Sequence, residues 1–97
     1  MSRAIVGVCT LELRIEASSS LKDKRSVLKS LLTRLMQDHH LAAAEIDLLD
    51  NPREAIIAFA TVSNSSRQID QSLQAALRWI EQRFPQAEII SEQIEIL

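Results

Sequence analysis

The sequence has few glycine, aromatic and cysteine residues, and each of these shortages argues against a class of function. Gly7 is the only glycine among 97 residues, so no glycine-rich loop can cradle a phosphate group. Aromatic residues make up 3% of the chain and tyrosine is absent, which argues against a sheet that stacks RNA bases on aromatic side chains. Cys9 is the single cysteine and cannot form an internal disulfide bond, which fits a reducing compartment.

Long apolar runs are also missing. No stretch approaches the roughly 20 apolar residues that span a bilayer, and the opening residues MSRAIVGV lack the apolar segment of a secretory signal peptide. We therefore expect a cytoplasmic protein with no membrane partner. Hydrophobic residues at 46%, charged residues at 25% and a net charge of −2 are typical of one globular domain, here residues 1–97.

Four segments have the pattern of strands. In residues 4–16 apolar and polar side chains alternate, so Cys9, Leu11 and Leu13 fall on one face, as in a half-exposed strand. Residues 42–50, the apolar run 55–63 and the C-terminal residues 87–97 predict three more. In the last strand the alternation places Ile90, Ile94 and Ile96 on one face and Ile89 on the other.

Two segments have the pattern of helices. Leucines recur at helical spacing after Ser20, and Asp23 three residues later indicates an N-cap with an acidic partner. This helix should end near residues 38–40. Ser65 and Gln68 predict a second capping box, and Pro85 should stop the helix that follows.

The element order is therefore β-α-β-β-α-β. Each βαβ half crosses over right-handed, which places both helices on one side of the sheet. The predicted fold class is α+β: a ferredoxin-like two-layer plait with an antiparallel four-stranded sheet. Because this fold hosts many unrelated functions, function has to be argued from particular residues.

The side chains that carry most enzyme chemistry do not form a recognisable catalytic or metal site. Cys9 lies in the apolar set of its strand, where a buried thiol is unreactive. Adjacent His39 and His40 have no second pair of ligands at a metal-binding spacing. Glu45 and Asp47 should share one strand face, which favours a solvated acidic strand over a catalytic pair in a cleft. We expect no enzyme activity, no metal and no cofactor.

The start of the first helix is unusually basic. Lys22, Lys24 and Arg25 stand near the positive end of the helix dipole, where cations are disfavoured. Lys22, Arg25 and Lys29 are also spaced to form a stripe opposite the leucines. Together with the free N–H groups of the helix start, these four residues form a candidate anion-binding surface. The other interpretation is a solvated helix face with no partner.

Four segments resemble the YlxP-like family: VCTLEL, SLKDKRSVLKSL, AEID and VSN, at residues 8–13, 20–31, 44–47 and 62–64. Members of that family are small bacterial proteins of unknown function with a ferredoxin-like fold. Their genes often lie beside translation-initiation and ribosome-maturation genes, so the resemblance implies a role near the ribosome. The family has no established catalytic residues to assign to this chain.

The leading functional prediction is a non-enzymatic accessory protein that binds RNA or a ribosome-associated, acidic protein partner. The contacts would come from Lys22, Lys24, Arg25 and Lys29. The alternative is a structural module with no nucleic-acid role, which forms a homodimer or larger homo-oligomer through its sheet face or its edge strands.

Overall fold

The computed structural model describes residues 3–97 and has the predicted architecture. Its elements are β1 (Ile5–Arg14), α1 (Leu21–Asp38), β2 (Ala42–Asp47), β3 (Glu54–Ser63), α2 (Ser66–Arg83) and β4 (Glu88–Ile96). The strands pair antiparallel in the order β2-β3-β1-β4, and both helices pack on one face of the sheet. The α+β ferredoxin-like plait is therefore confirmed. The predicted single domain covers residues 1–97, and its first two residues lie outside the part of the chain that the structure describes.

β1 is one of the two central strands of the sheet, and one of its faces packs on the helices. Cys9, Leu11 and Leu13 are fully buried and point towards the helices. Gly7 lies on the same face, where a Cβ atom would overlap the side chain of Ile69 in α2. The lone glycine therefore lets α2 approach the sheet closely, which is a packing role.

α1 begins at the predicted cap, with one difference in detail. The backbone N–H of Asp23 donates to Oγ of Ser20 at 3.1 Å, as an N-cap requires. The Asp23 carboxylate, however, accepts hydrogen bonds from Oγ and N of Ser19, at 2.9 and 3.3 Å. In a regular capping box this carboxylate would accept from the N–H of the cap residue, Ser20. Here it accepts from the residue before the cap. The helix ends at Asp38.

α2 follows the second predicted cap and the predicted stop. N–H of Gln68 donates to Oγ of Ser65 at 3.3 Å, and the Ser63 hydroxyl donates to the Gln68 side chain at the same distance. The helix ends at Arg83, two residues before Pro85, which cannot continue it. The cap and the proline therefore fix both ends of α2 locally.

A β-bulge in β4 changes which isoleucines face the core. Glu12 pairs with Ser91 but Leu13 pairs with Ile89, so Ile90 is an extra residue between two ladder positions. Ile89 and Ile94 both pack on the core, and Ile90 is 39% exposed. The prediction that Ile90 and Ile94 share a face is wrong, because the bulge reverses the alternation between them.

A second bulge, in β2, separates the two acids of that strand. Glu45 pairs with Ile57 and Asp47 with Ile56, which leaves Ile46 as the extra residue. Glu45 therefore points to the helix side of the sheet and Asp47 to the other side. The prediction that these carboxylates share a face is wrong, and they form no pair.

Candidate functional site

The outer face of α1 carries a basic surface made of Lys22, Arg25 and Lys29. All three side chains are exposed, and their spacing places them along one side of the helix. Arg25 lies 3.8 Å from Asp50, but the two side chains are 61% and 96% exposed, so water screens this ion pair. The ion pairs within residues 3–97 involve neither Lys22 nor Lys29. Most of the positive charge on this surface is therefore available to a partner.

Asp23 lies between these cations in sequence, and its carboxylate accepts hydrogen bonds from Ser19 at the start of the helix. Hydrogen bonds from the hydroxyl and then the backbone N–H of Ser19 hold the pKa of Asp23 below its ordinary value, with smaller contributions from Ser20 and Lys22. The carboxylate thus stabilises the first turn of α1. The carboxylate is oriented towards Ser19 and forms no ion pair with Lys22 among the described residues.

Lys24 does not lie on the basic surface. Its side chain is fully buried, because position 24 belongs to the same helical stripe as Leu28, Leu31 and Leu35, four, seven and eleven residues further along. Including Lys24 in the predicted anion-binding set was wrong: a side chain with no exposed area cannot contact an external anion.

The buried ammonium group binds the loop between β2 and β3. Nζ of Lys24 donates to the carbonyl oxygens of Leu48, Glu54 and Leu49, at 2.8, 3.0 and 3.4 Å. A carboxylate oxygen of Glu45 lies 3.0 Å from Nζ, although its orientation does not meet the angles of a hydrogen bond. Four oxygens thus surround a group with three N–H donors, so the charge is neutralised inside the protein.

This contact stabilises a strained loop. Leu48 has a φ of 61°, in the left-handed region that a bulky residue seldom adopts. Its N–H donates to the carboxylate of Asp47 at 2.7 Å, while its carbonyl accepts from Lys24. The hydroxyl of Ser18 donates to the Pro52 carbonyl at 2.8 Å and ties the same loop to the start of α1. Lys24 is therefore a positioning residue of the fold.

Charge is divided between the two layers of the domain. α1 and α2 together contain eight basic and four acidic residues, a net charge of +4. The strands and loops contain three basic and nine acidic residues, a net charge of −6. The two values add to the net charge of −2 for the chain. A polyanion is thus attracted to the helical layer, although the protein as a whole is acidic.

A shallow groove with three hydroxyl groups lies beside the basic surface, and the sequence analysis missed it. The groove measures about 310 Å³ and is lined by Ser26, Lys29, Ser30, Thr33 and Arg34. The hydroxyl residues follow one another at four-residue and three-residue steps along α1, and this spacing is the signal that could have revealed them.

The other candidate residues have structural surroundings. Burial, followed by the negative charge of Glu92, raises the pKa of the Cys9 thiol to about 11. His39 caps the C-terminus of α1 and lies 4.8 Å from the Trp79 ring, between ring centroids. His40 follows in the left-handed region, with a φ of 55°, and its side chain is exposed. The two histidines are thus part of a helix end.

Two negative findings concern metals and membranes. Among residues 3–97, no group of three or more His, Cys, Asp or Glu side chains is arranged to hold a metal ion. Neither helix of that segment is both long and apolar enough to cross a bilayer.

The fold is shared with a solved structure of different sequence. A de novo designed protein, Foldit4, aligns with a TM-score of 0.56 over 98% of this chain and 97% of its own, at 11% sequence identity. Such low identity supports the shared fold and nothing about function.

Residues 6–94 match the family model described as "Protein of unknown function (DUF503)". A curated relative, "Uncharacterized protein YlxP" from Bacillus subtilis (strain 168), is 34% identical over 84 residues, which cover 87% of this chain and 90% of that protein. The chain belongs to the DUF503 family, as the resemblance to the YlxP-like family predicted.

Proposed function

We propose that this protein is a non-enzymatic accessory protein that binds structured RNA through Lys22, Arg25 and Lys29. The observation that supports the proposal is the exposure of these three side chains on one face of α1. Within residues 3–97, neither Lys22 nor Lys29 takes part in an ion pair. Lys24, the fourth cation of the same run, has a structural role and leaves the set.

The shallow groove beside these cations is lined by residue types that contact phosphate in other proteins. Proteins hold phosphate oxygens with Lys and Arg together with Ser and Thr hydroxyls, and such contacts carry no base specificity. Ser26, Ser30 and Thr33 supply hydroxyls next to Lys29. Without the buried Lys24 the helical layer still has a net charge of +3, from seven basic and four acidic residues, which attracts a polyanion over a longer distance.

The expected ligand is a folded RNA and not a single strand. Recognition of single strands depends on aromatic side chains that stack with bases. Trp79 is half-buried and already packs against His39 with the two rings tilted by 55°, and the Arg34 guanidinium lies 5.2 Å from its ring. Genes of the YlxP-like family often lie beside genes for translation initiation and ribosome maturation. This gene neighbourhood favours ribosomal RNA, or an assembly that contains it, as the ligand.

A fluorescence anisotropy titration with a labelled 20-base-pair RNA duplex at low ionic strength tests this proposal. Replacing Lys22, Arg25 and Lys29 with alanine should weaken binding by at least about tenfold, because three phosphate contacts are lost. The matched control replaces Arg67, Arg78 and Arg83 of α2, exposed residues with the same total charge, and should change affinity much less.

Two results would contradict the proposal. If wild-type protein does not bind the duplex at low salt, the basic surface has no RNA role. If the α1 and α2 variants lose affinity equally, only net charge matters and no site exists. An acidic protein partner remains the outcome if the surface binds a polyglutamate peptide but not the duplex.

Self-association, the alternative function, remains a prediction. Light scattering distinguishes the two functions: a stable dimer that the α1 substitutions leave unchanged, without RNA binding, would favour the structural module.

A further inference from the structure

The face of the sheet that points away from the helices, called here the open face, has an apolar centre. In β1 the open-face residues lie between the buried residues Cys9, Leu11 and Leu13, and the strand pairings place their neighbours. Residues that pair across neighbouring strands form rows on this face. The apolar residues of four successive rows are Val62 and Val6; Ala42, Ala60 and Val8; Ala44 and Ala58; and Ile56.

Part of this centre is open to solvent and shallowly concave. Val62 is 64% exposed and Val6 is 38% exposed. A depression of about 260 Å³ lies over Ala42, Ala44, Ala58 and Ala60, because four small side chains stand between larger ones. The concave floor extends into a second depression of about 300 Å³ beside Val6 and Val62. Adjacent apolar residues of this kind mark interaction surfaces in many proteins.

Acidic side chains border the apolar centre. The pairings place Asp47 and Glu12 beside Ile56, and Glu95 beside Val8. In the next row Arg14 lies between Glu54 and Glu88. The open face therefore carries five acidic residues and one basic residue, the opposite sign to the helical layer.

We infer that the open face docks a cationic amphipathic α-helix of another protein, with its apolar stripe on the alanine floor and its Lys and Arg residues on the acidic border. The dimensions agree: three strands are about 14 Å wide and four rows are about 20 Å long. A helix has a diameter of about 10 Å and covers that length in about four turns.

A second copy of the chain is a poorer occupant. The apolar centre covers roughly 300 Å², whereas a stable dimer buries about 800 Å² per subunit. Two open faces packed together would also bring their acidic borders close to each other, which repels. The two edge strands offer little more, since β2 has a bulge and β4 carries Glu88, Glu92 and Glu95.

The test uses two synthetic 18-residue helical peptides with the same leucine and alanine stripe, one flanked by lysine and one by glutamate. Calorimetry should show binding of the lysine peptide and at least about tenfold weaker binding of the glutamate peptide. Backbone amide shifts in the NMR spectrum of the full chain should move at Val8, Ala58 and Ala60, and not in α1.

Variants test the two parts of the surface. Val62→Lys, at an exposed position, should weaken binding of the lysine peptide by at least about tenfold, because the substitution removes apolar contact and adds charge repulsion. Gln71→Lys, an equal charge change at an exposed position of α2, is the matched control and should change affinity less than twofold. Asp47→Asn and Glu95→Gln should each weaken binding by about twofold to fivefold.

Three outcomes would overturn the inference. They are equal binding of both peptides, amide shifts confined to the helices, and a dimer in sedimentation that Val62→Lys dissociates. None of them depends on RNA binding, so the inference and the proposed function can fail separately.

Discussion

The substitution Lys24→Met isolates the role of the buried ammonium group. Methionine keeps a flexible apolar side chain in the helical stripe of Leu28 and Leu31 but has no charge and no donor. The carbonyls of Leu48 and Glu54 and the carboxylate of Glu45 then lose the group that lies within 3.0 Å of each. The strained loop also loses this attachment to α1 and keeps the one through the Ser18 hydroxyl.

The expected loss of stability is large. Removing one partner of a buried ion pair destabilises proteins by about 3–5 kcal/mol, because the remaining charge stays buried without compensation. Glu45 is 17% exposed, and rearrangement of the loop can hydrate the carbonyls, so the lower half of this range applies. The total stability of a domain is about 5–15 kcal/mol, so Lys24→Met should shift the unfolding transition strongly.

Urea unfolding followed by circular dichroism and by the fluorescence of Trp79 measures this loss. Lys29→Met is the matched control: the same substitution at an exposed position of the same helix should change stability by less than about 0.5 kcal/mol. If Lys24→Met destabilises the protein by less than about 1 kcal/mol, the ammonium group is not held in the interior and does not stabilise the loop.

Three further predictions concern other parts of the fold. Gly7→Ala should destabilise by about 1–3 kcal/mol, as measured by urea unfolding, because the added methyl group overlaps Ile69; a neutral result would contradict the packing role. Cys9 should react with a thiol reagent only as fast as the protein unfolds, because it is buried and its pKa is raised to about 11; rapid reaction of native protein would contradict its burial. Folding lowers the pKa of Asp23, so its contribution to stability is present above its unfolded pKa and is lost as the pH falls through its folded pKa. Asp23→Asn should remove that part of the dependence of stability on acid pH, as measured by urea unfolding at several pH values. An unchanged dependence would contradict this role of Asp23.

The sequence was sufficient to predict the element order and the helix ends, because these depend on local chemistry. The Ser20 and Ser65 hydroxyls accept the expected backbone N–H groups, and α2 ends before Pro85. The apolar alternation of β1 needs no knowledge of its partners. Right-handed crossovers then place both helices on one side of the sheet and leave few arrangements for two βαβ halves.

The two bulges could not be predicted in this way. Ile46 and Ile90 are apolar residues within strands, and nothing in their neighbours marks them as unpaired. A bulge depends on the pairing of two strands that are distant in sequence, and one extra residue reverses every later side chain. The placement of Glu45 beside Lys24, on the helix side of the sheet, follows from such a pairing.

Lys24 shows the limit of arguments from residue type. Its spacing from Leu28, Leu31 and Leu35 already indicated the buried stripe, but a lysine is seldom fully buried unless it is paired. The pairing depends on the fold of residues 45–54, which the sequence of α1 does not specify. Lys22, Arg25 and Lys29 lie where the sequence predicted them, on the exposed face.

The salt dependence of duplex RNA binding measures whether Lys22, Arg25 and Lys29 contact phosphates while Lys24 stabilises the fold. Three contacts predict that the logarithm of the binding constant falls with the logarithm of salt concentration at a slope of about −2 to −3. Each alanine substitution at these three positions should flatten the slope by slightly less than one. A slope near zero, or one that these substitutions leave unchanged, would contradict the account.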